Sequence, residues 1–412
     1  MARAASLERS GDELRGLARL TFSELADAVR GLEQLHQAIA GRAFAGTGAM
    51  ARPTQLAHDA IAGGVYRGLR GAALMIGRAA EAAAAQRPEP HPHALSRRPA
   101  GSAVLGALNG LIGDRIEREL PELHQPMSVR VHGELVPPKR EALAAAFPAA
   151  TAHVVVFVHG LMGTEYTWWI GARERGTYGG RLQDELDVTP VYVRYNTGRH
   201  ISENGRSLAE LMEALVGDWP VPVERLSLVG HSMGGLVVRS ACHVAAEERA
   251  EWVRTVRHVV SLGTPHMGAP LAQGVHYASA ALAAVPETRP LAGLLRRRSA
   301  GIRDLRQGSL VDADWRDRDP DTLRAVVCEE VPLLEDATHC FIAATITHSA
   351  RHPVGRMVGD VLVLEPSASG RSRTRRIPFL EEYGTHLGST HHIALLNHPR
   401  VYEKLREWIG AD

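Results

Sequence analysis

The sequence is poor in cysteine and lysine. Its three cysteines, Cys242, Cys328 and Cys340, are too few for the paired framework of a small secreted protein, although a single bridge between Cys328 and Cys340 stays open. Lys139 and Lys404 are the only lysines among 47 basic residues, and we interpret the arginine excess as coding bias. The cysteine count therefore excludes a disulfide-stabilised class of protein.

Net charge and long apolar runs are lacking as well. A formal net charge of +1 gives no general attraction to nucleic acid or to anionic membranes, so we expect no nucleic-acid partner. No uncharged apolar run approaches the ~20 residues that span a bilayer. The first sixteen residues, MARAASLERSGDELRG, lack the apolar centre of a secretory signal. We therefore expect a cytoplasmic protein, with peripheral membrane association as the alternative.

The chain is long enough, at 412 residues, for one large domain and an accessory region. Residues 12–40 and 54–85 have apolar side chains at helical spacing and predict a hairpin of two helices. Four prolines within 86–101 predict a linker, and a third helix should follow to about Leu120. We expect a helical N-terminal region over 1–124, whose apolar stripes pack on the rest of the chain, on a second copy or on lipid.

Residues 225–235, RLSLVGHSMGG, form the most informative stretch. Leu226 to Val229 predict a buried strand, and the apolar run after Gly235 predicts a helix. A serine on a tight strand-to-helix turn has strained backbone angles, and glycine two positions before and after it removes steric clashes. Ser232 would then project above the sheet at the positive end of the helix. This pattern is typical of a catalytic nucleophile.

A second motif follows an upstream strand. His153 to Val158 is a continuous apolar, β-branched run of the kind buried in a parallel sheet. It ends in His159-Gly160-Leu161-Met162-Gly163, an H-G-x-x-G turn. The two motifs stand in this order, about seventy residues apart, as expected when both belong to one catalytic fold.

Over about 125–412 the chain resembles the lipase and esterase branch of the α/β-hydrolases, particularly bacterial proteins of the PGAP1-like group. The resemblance rests on VVVFVHGLMG, VYVRYNTGRHISENG, LVGHSMGG, VVSLGTPHMGAP, VGDVLVLEPSASG and HHIALLNHPRVYEKLREWI. The helical N-terminal extension lies outside this resemblance. Residues 269–319 leave the sheet pattern and predict a helical, lid-like insertion, placed where lipases carry a lid. The resemblance implies a mostly parallel, doubly wound sheet. It also implies an oxyanion hole formed by the backbone N–H groups of Leu161 and Met233.

The order of catalytic residues in that fold directs the search for the acid. The acid should follow a late strand, which we expect over Cys340 to Thr347. Asp360 is the only carboxylate between that strand and Glu365, and its Gly-Asp-Val context resembles the acid turn of lipases. Asp360 is the predicted acid, with Asp336 and Glu365 as alternatives.

Several histidines precede the last predicted helix: His386, His391, His392 and His398. The pattern H-x-x-L-L-x-H-P at 392–399 resembles the ending of the family, in which the first histidine is catalytic. His392 is therefore the predicted general base, and His391 and His398 are the alternatives. A metal site in this cluster is a further alternative, but no H-E-x-x-H or C-x-x-C accompanies it. We expect no metal and no cofactor.

Further side chains near these motifs could line a substrate pocket. The candidates share positions just after predicted strands, and they are His159, Trp168, Asn196, His200 and His266. Residues 196–205 are expected to form a loop at the carboxyl edge of the sheet. The alternative is that the polar members only cap turns or the next helix, and that Trp168 packs beneath its loop.

The expected activity is hydrolysis of carboxylic esters through an acyl-enzyme, with an ester or lipid as the small-molecule substrate. Acyl transfer and thioester cleavage on the same fold are alternatives. A rival from another class is a helical scaffold that binds lipid or protein and carries a secondary hydrolase domain. Dimerisation or lipid contact through the N-terminal helices is also expected.

Overall fold

The computed structural model describes residues 95–269, 298–319, 328–372 and 375–411, with 16–23 and isolated positions before residue 79. The chain divides into two compact units. The first comprises 1–95, 115–123 and 274–298, and the second comprises 96–114, 124–273 and 299–412. The predicted helical hairpin, residues 86–94 of the predicted linker and 270–297 of the predicted insertion lie largely or wholly outside the described residues. The domain boundary near 125 stays a prediction.

The described part of the first unit is helical over 16–23. Gly16 packs closely on a 3-10 helix at Pro121–Leu123, because a Cβ at Gly16 would lie 2.6 Å from Cγ of Glu122. Arg19 donates to Oε1 of Glu122 over 3.1 Å. Leu20 and Leu123 are buried, so this contact is apolar inside and charged outside.

The second unit contains an eight-stranded sheet in the order β2-β1-β4-β3-β5-β6-β7-β8. The strands are β1 Ser128–Val131, β2 Glu134–Val136, β3 His153–Val158, β4 Thr189–Arg194, β5 Arg225–His231, β6 Val256–Leu262, β7 Thr338–Ala344 and β8 Gly384–Leu387. β1 runs antiparallel to β2 and β4, and the remaining pairs are parallel. The predicted α/β-hydrolase fold class is confirmed.

Ten α-helices are described in this part of the chain. They are α1 Pro99–Glu119, α2 Arg140–Ala146, α3 Ala172–Arg175, α4 Tyr178–Leu186, α5 Ile201–Gly217, α6 Met233–Glu247, α7 Ala300–Asp304, α8 Pro353–Val358, α9 Glu365–Ala368 and α10 Pro399–Ile409. α1 is kinked at Ile112, whose backbone is non-helical. Short 3-10 helices at Glu165–Trp169 and His392–Leu396 lie in loops that matter for the site. None of the described helices combines the length and apolarity needed to cross a bilayer.

Both faces of the sheet are covered, which explains the continuous apolar runs of its central strands. Val154, Val156 and Val158 of β3 belong to a core shared with α5 and α6. Val155 and Phe157 belong to the opposite core, shared with α4 and α10. The alternation of side chains along one strand therefore supplies both cores.

The strand over 153–158 begins and ends where the sequence predicts. Residues 196–205 are a loop only in their first half, because α5 begins at Ile201. The backbone N–H of Ile201, at the start of this helix, donates to Oδ2 of Asp304 over 2.8 Å. Asp304 lies about a hundred residues later in the chain, so local sequence patterns do not reveal this contact. The three cysteines are buried free thiols, so the bridge between Cys328 and Cys340 is not formed.

Candidate active site

Ser232 lies in a strained turn between β5 and α6. Its φ of 55° is in the left-handed region that side chains rarely adopt. A Cβ at Gly230 would lie 2.4 Å from the backbone nitrogen of Gly235, and one at Gly234 would lie 2.3 Å from the carbonyl oxygen of Val158. Both glycines are therefore required for steric reasons, and Ser232 is held at the carboxyl edge of the central strands.

The turn after β3 lies directly beside this serine. A Cβ at Gly160 would come within 2.9 Å of Cβ of Ser232. A backbone hydrogen bond closes this turn, in which the N–H of Gly163 donates to the carbonyl of Gly160 over 3.1 Å. The N–H of Leu161 takes no part in that bond. Met233 opens α6, so its N–H has no carbonyl in a preceding helical turn. Met233 thus follows Ser232 in the chain, and the turn that contains Leu161 lies beside Ser232 in space.

Helix α1 supports the turn through its glycines. A Cβ at Gly106 would lie 2.9 Å from the carbonyl oxygen of Gly163, and one at Gly110 would lie 2.4 Å from Cγ of Met162. The spacing G-x-x-x-G therefore serves close packing of a helix on a loop. Residues 99–114 contribute to the site although the sequence assigns them to a separate helical region.

Asp360 and His392 form a buried pair. Oδ2 of Asp360 lies 2.7 Å from Nδ1 of His392, and both side chains are almost fully buried. Oδ1 of Asp360 accepts the backbone N–H groups of Leu362 and Val363 over 3.0 and 2.8 Å. The carboxylate is thus fixed by its own turn, while Nε2 of His392 is buried and has no hydrogen-bond partner among the described residues. The imidazole therefore has one ring nitrogen on a carboxylate and the other available.

The loop after β6 holds the ring of His392 in place. Gly263 has a φ of 58°, and a Cβ there would lie 3.1 Å from Cε1 of His392. The backbone N–H of Ser232 donates to the carbonyl of Leu262 over 2.8 Å, so the residue before Gly263 is hydrogen-bonded to Ser232. Gly263 thus connects the turn of Ser232 to the imidazole of His392.

The neighbouring histidines have other partners. Nδ1 of His391 accepts the N–H of Ala394 over 3.3 Å, and Nδ1 of His398 accepts that of Arg400 over 3.2 Å. Both therefore cap helical turns. Nε2 of His386 lies 2.9 Å from Oγ1 of Thr345. Among the described histidines at 386–398, His392 is the only one with a ring nitrogen within hydrogen-bonding distance of a carboxylate.

The two alternative acids lie elsewhere. Asp336 is exposed, and Oε1 of Glu365 lies 3.4 Å from Nη2 of Arg371. Glu365 is thus paired with an arginine. Among the described residues, no three His, Cys, Asp or Glu side chains are grouped so that they could hold a metal ion.

His159 is part of the support of the turn. It is fully buried and stacks on Tyr195 with ring centroids 4.5 Å apart. Nδ1 lies 2.9 Å from the carbonyl oxygen of Gly160, and Nε2 accepts the N–H of Tyr195 over 3.4 Å. Burial lowers the pKa of His159 to about 3, so the ring is neutral. With both nitrogens engaged inside the protein, His159 braces the turn and does not line a surface pocket.

Trp168 and Asn196 are also buried. Trp168 packs edge-on to Phe157 at 5.0 Å between ring centroids, the packing role that the sequence leaves as its alternative. Nδ2 of Asn196 donates to the carbonyl of Gly113 over 2.9 Å, and Oδ1 accepts the N–H of Gly198 at the same distance. Asn196 therefore fixes the loop after β4 against α1.

His200 and His266 contact residues other than Asp360 and His392. Nδ1 of His200 is 3.1 Å from both carboxylate oxygens of Asp304, and its ring stacks on Trp315 at 3.6 Å. His266 is fully buried, and burial holds its pKa well below the usual range. His200 tethers the start of α5 to α7, and His266 belongs to the interior.

Three supporting groups are not evident in the sequence. The N–H of Met162 donates to Oγ1 of Thr197 over 3.1 Å. The buried guanidinium of Arg194 forms an ion pair with the buried carboxylate of Glu165. Nε2 of His231 donates to the carbonyl of His392 over 3.3 Å. Only His231 carries a signal, since it stands inside the glycine-serine motif; the other contacts join distant segments that share no local pattern.

Residues 148–308 match the family model described as "Putative serine esterase (DUF676)". The match includes Ser232 and the turn after β3, but it ends before Asp360 and His392 and covers less than half of the chain.

Two triacylglycerol lipases are similar over part of their length. That of Burkholderia plantarii is 32% identical over 146 residues, which cover 32% of this chain and 35% of the lipase. That of Pseudarthrobacter phenanthrenivorans is 31% identical over 139 residues, which cover 31% of this chain and 37% of the lipase. The chain therefore spans about a third of the length of the curated relatives it matches.

Solved structures give a more distant likeness. The mature lipase of Bacillus licheniformis is 20% identical, with 64% of this chain and 93% of that chain covered and a TM-score of 0.40. The protein EstA of Clostridium botulinum is 13% identical, with 74% and 97% covered and a TM-score of 0.38. The sequence matches, and not these distant structures, therefore make residues 148–308 similar to a serine esterase family.

Proposed function

We propose that this chain, whose residues 148–308 match a serine esterase family, hydrolyses carboxylic esters through a covalent acyl-enzyme. The observation that carries the proposal is the buried Asp360–His392 pair, 2.7 Å between Oδ2 and Nδ1, in contact with His231, the residue before Ser232 in its strained turn. A carboxylate on one imidazole nitrogen fixes the tautomer in which the other nitrogen accepts a proton. No cofactor takes part in this chemistry.

In the proposed reaction, Oγ of Ser232 attacks the ester carbonyl and Nε2 of His392 takes its proton. The carbonyl oxygen becomes an oxyanion, and the N–H groups of Leu161 and Met233 donate to it. When the tetrahedral intermediate collapses, the alcohol leaves with the proton from His392. Water then attacks the acyl-serine with the same imidazole as base, and a carboxylic acid is released.

Asp360 orients His392 and stabilises the imidazolium without taking up the proton. Its two bonds from backbone N–H groups support this role, because they hold the carboxylate in the orientation in which Oδ2 faces Nδ1 of His392. The N–H of Met233, at the start of the fifteen-residue helix α6, adds the positive end of the helix dipole to the oxyanion site.

The proposed substrates are esters with a moderately apolar acyl group, including lipid esters. The support is the similarity to two triacylglycerol lipases, which extends over only part of each. Turnover of p-nitrophenyl esters of increasing acyl chain length would establish the preferred length. An acceptor alcohol added to the same assay would show acyl transfer as a second, ester-forming product.

A fluorophosphonate probe tests the nucleophile. Ser232→Ala should lose both labelling and ester turnover while circular dichroism stays unchanged, because only the attacking oxygen is removed. His392→Ala should lower kcat by about three to six powers of ten, as loss of a triad base does elsewhere. Asp360→Asn should be impaired strongly but less than Ser232→Ala.

His391→Ala and His398→Ala are the matched controls, because each removes a helix cap and leaves the Asp360 contact intact. They should retain activity within about tenfold of the wild type. Undiminished turnover by Ser232→Ala would exclude the proposed mechanism, and an inactive His391→Ala with an active His392→Ala would move the base by one residue. A cytoplasmic location and dimer or lipid contact through 1–124 stay predictions, which cell fractionation and sedimentation would test.

A further inference from the structure

An exposed apolar surface surrounds the turn that carries Asp360. We call it the Asp360 rim, and its members are Ile346, Met357, Val358, Val361 and Ile393. Met357 is 79% exposed and Val361 is 57% exposed, and the other three lie between 38% and 43%. Five large apolar side chains grouped in water around one turn are uncommon, because surface apolar residues usually stand singly.

Backbone hydrogen bonds make the Asp360 rim one continuous surface. The N–H of Ile346 donates to the carbonyl of Gly359 over 2.9 Å, and that of Val361 donates to the carbonyl of Val358 over 3.1 Å. The N–H of His392 donates to the carbonyl of Asp360 over 2.9 Å, which brings the following residue, Ile393, to the same turn. Segments from three parts of the chain thus meet at the rim.

The backbone of Val361 adds a second observation. Its φ is 92°, a conformation that is costly for a β-branched side chain. The fold therefore tolerates both strain and the exposure of an apolar group at this residue. Strained conformations of this kind are usually retained at sites that bind or react.

The charged side chains in the segment before Asp360 have one sign. Residues 346–359 contain Arg351, Arg356, His348 and His352 and no acidic residue. All four side chains are exposed. The chain as a whole is nearly neutral, with a net charge of +1, so this cationic segment is local and coincides with the exposed apolar side chains.

We propose that the Asp360 rim docks the protein onto the surface of an anionic lipid bilayer. Exposed apolar side chains next to arginines match the boundary between acyl chains and phosphates, where each kind of group finds its own environment. A second copy of the chain fits less well. In a two-fold dimer the same surface meets itself, and the arginines of the two copies would then face each other.

Docking through the rim sets the Asp360–His392 pair at the membrane surface. Asp360 lies in the rim turn itself, and Ile393 directly follows His392. An ester in the outer part of the bilayer would then reach Ser232 without crossing bulk water. This consequence rests on the proposed function, whereas the docking itself does not, because Ser232→Ala should bind vesicles as the wild type does.

The test is flotation of the full chain with vesicles of phosphatidylcholine and phosphatidylglycerol, compared with vesicles of phosphatidylcholine alone. The wild type should float with the anionic vesicles, and less so at high salt. Arg356→Glu should lower the partition coefficient on the order of tenfold, because each basic residue near an anionic surface adds to the binding. Met357→Glu should lower it by a similar factor.

The matched controls are Leu380→Glu and Arg257→Glu. Leu380 is 60% exposed but precedes β8, and Arg257 lies at the start of β6. Both stand at the amino edge of the parallel strands, whereas the rim follows the carboxyl edge of β7. The controls should float as the wild type does, and all four variants should hydrolyse p-nitrophenyl acetate at the wild-type rate.

Three results would overturn the docking proposal. The first is a wild type that stays behind the vesicles, and the second is flotation that Arg356→Glu and Met357→Glu leave unchanged, which would assign binding to another part of the chain. The third is a change of sedimentation coefficient in Met357→Glu without any vesicle binding, which would make the rim a contact between protein copies. Loss of flotation with normal p-nitrophenyl acetate turnover separates docking from the catalytic proposal.

Discussion

The backbone N–H of Met162 donates to Oγ1 of Thr197 over 3.1 Å. This bond joins the turn after β3 to the loop after β4. Met162 has a φ of 60°, so the turn is held in an unfavourable backbone conformation by its surroundings. Thr197 is buried, and its hydroxyl is the side-chain group that fixes the residue next to the proposed donor Leu161.

Replacement of Thr197 should therefore affect the reaction more than binding. Thr197→Val keeps the shape and removes the acceptor, so the N–H of Leu161 should lose its alignment and kcat should fall by about tenfold, less than the loss of a whole oxyanion donor. KM should change little. Thr197→Ser is the matched control, because it keeps the hydroxyl. Equal kcat values for the valine and serine variants would show that the hydroxyl does not position the turn.

A buried ion pair connects the same region to the segment before α1. Nε of Arg194 donates to Oε2 of Glu165 over 2.5 Å, and Nη1 donates to the carbonyl of Ser96 and to Oε1 of Gln125 over 2.6 and 3.1 Å. Every charged group of the pair is thus satisfied inside the protein. Removing one partner of such a pair lowers the stability of the fold, because the remaining charge is then buried without a partner.

Glu165→Gln should lower the free energy of unfolding by about 3–5 kcal/mol, the cost of an uncompensated buried charge. The measurement is the midpoint of urea unfolding followed by tryptophan fluorescence. Arg316→Met is the control, since its pair with Asp312 is largely exposed on the arginine side and should contribute under about 1 kcal/mol. If both variants shift the midpoint equally, the buried pair is no stronger than a surface pair.

The elements that the sequence predicts well are those that depend on local patterns. β3 could be placed to the residue because five consecutive apolar side chains follow His153 and are buried on two faces. Gly230 and Gly234 could be assigned a steric role because their spacing around Ser232 demands it. The choice of Asp360 and His392 followed chain order, and the structure brings those two side chains together; their catalytic role stays a proposal.

The misread features depend on partners far away in the chain. Residues 201–205 form the first turn of α5, where Asp304, a distant residue, accepts the N–H of Ile201. His159 and Asn196 are polar residues just after strands, which is typical of pocket residues, yet Tyr195 and Gly113 take up their hydrogen bonds. No local periodicity encodes such contacts. The sequence alone therefore could not show whether a polar residue near a motif lines the pocket or supports the motif from the interior.

Buried neutral histidines should make the stability of the second unit depend on pH. Burial lowers the pKa of His159 to about 3 and that of His258 and His339 to about 4. Between these values and about 6.5 the unfolded chain binds protons that the folded chain does not. The stabilisation is therefore complete above pH 6.5 and is lost as pH falls through that range, with a slope of about 1.4 kcal/mol per pH unit for each histidine.

His339→Gln tests this dependence. Nε2 of His339 accepts the N–H of Leu334 over 3.1 Å, and the amide oxygen of glutamine can accept the same bond without titrating. The slope of unfolding free energy against pH between 5 and 6.5 should become shallower by up to about 1.4 kcal/mol per pH unit. Urea unfolding at several pH values measures it. An unchanged slope would mean that His339 binds a proton equally in both states.

The close approach of Gly160 to Ser232 gives the last prediction. A Cβ at Gly160 would lie 2.9 Å from Cβ of Ser232 and 3.1 Å from the carbonyl oxygen of His231. Gly160→Ala must therefore displace the turn after β3, the turn of Ser232, or both. A displacement on the order of 1 Å between reacting groups can lower the rate on the order of a hundredfold. We expect that loss in kcat and slower fluorophosphonate labelling of Ser232. Gly217→Ala is the matched control, because a Cβ there meets nothing within 4 Å and Gly217 ends α5, which begins after β4 and runs 17 residues away from the carboxyl edge of the sheet. Wild-type kcat in Gly160→Ala would mean that the turn can move away from Ser232 without loss of alignment.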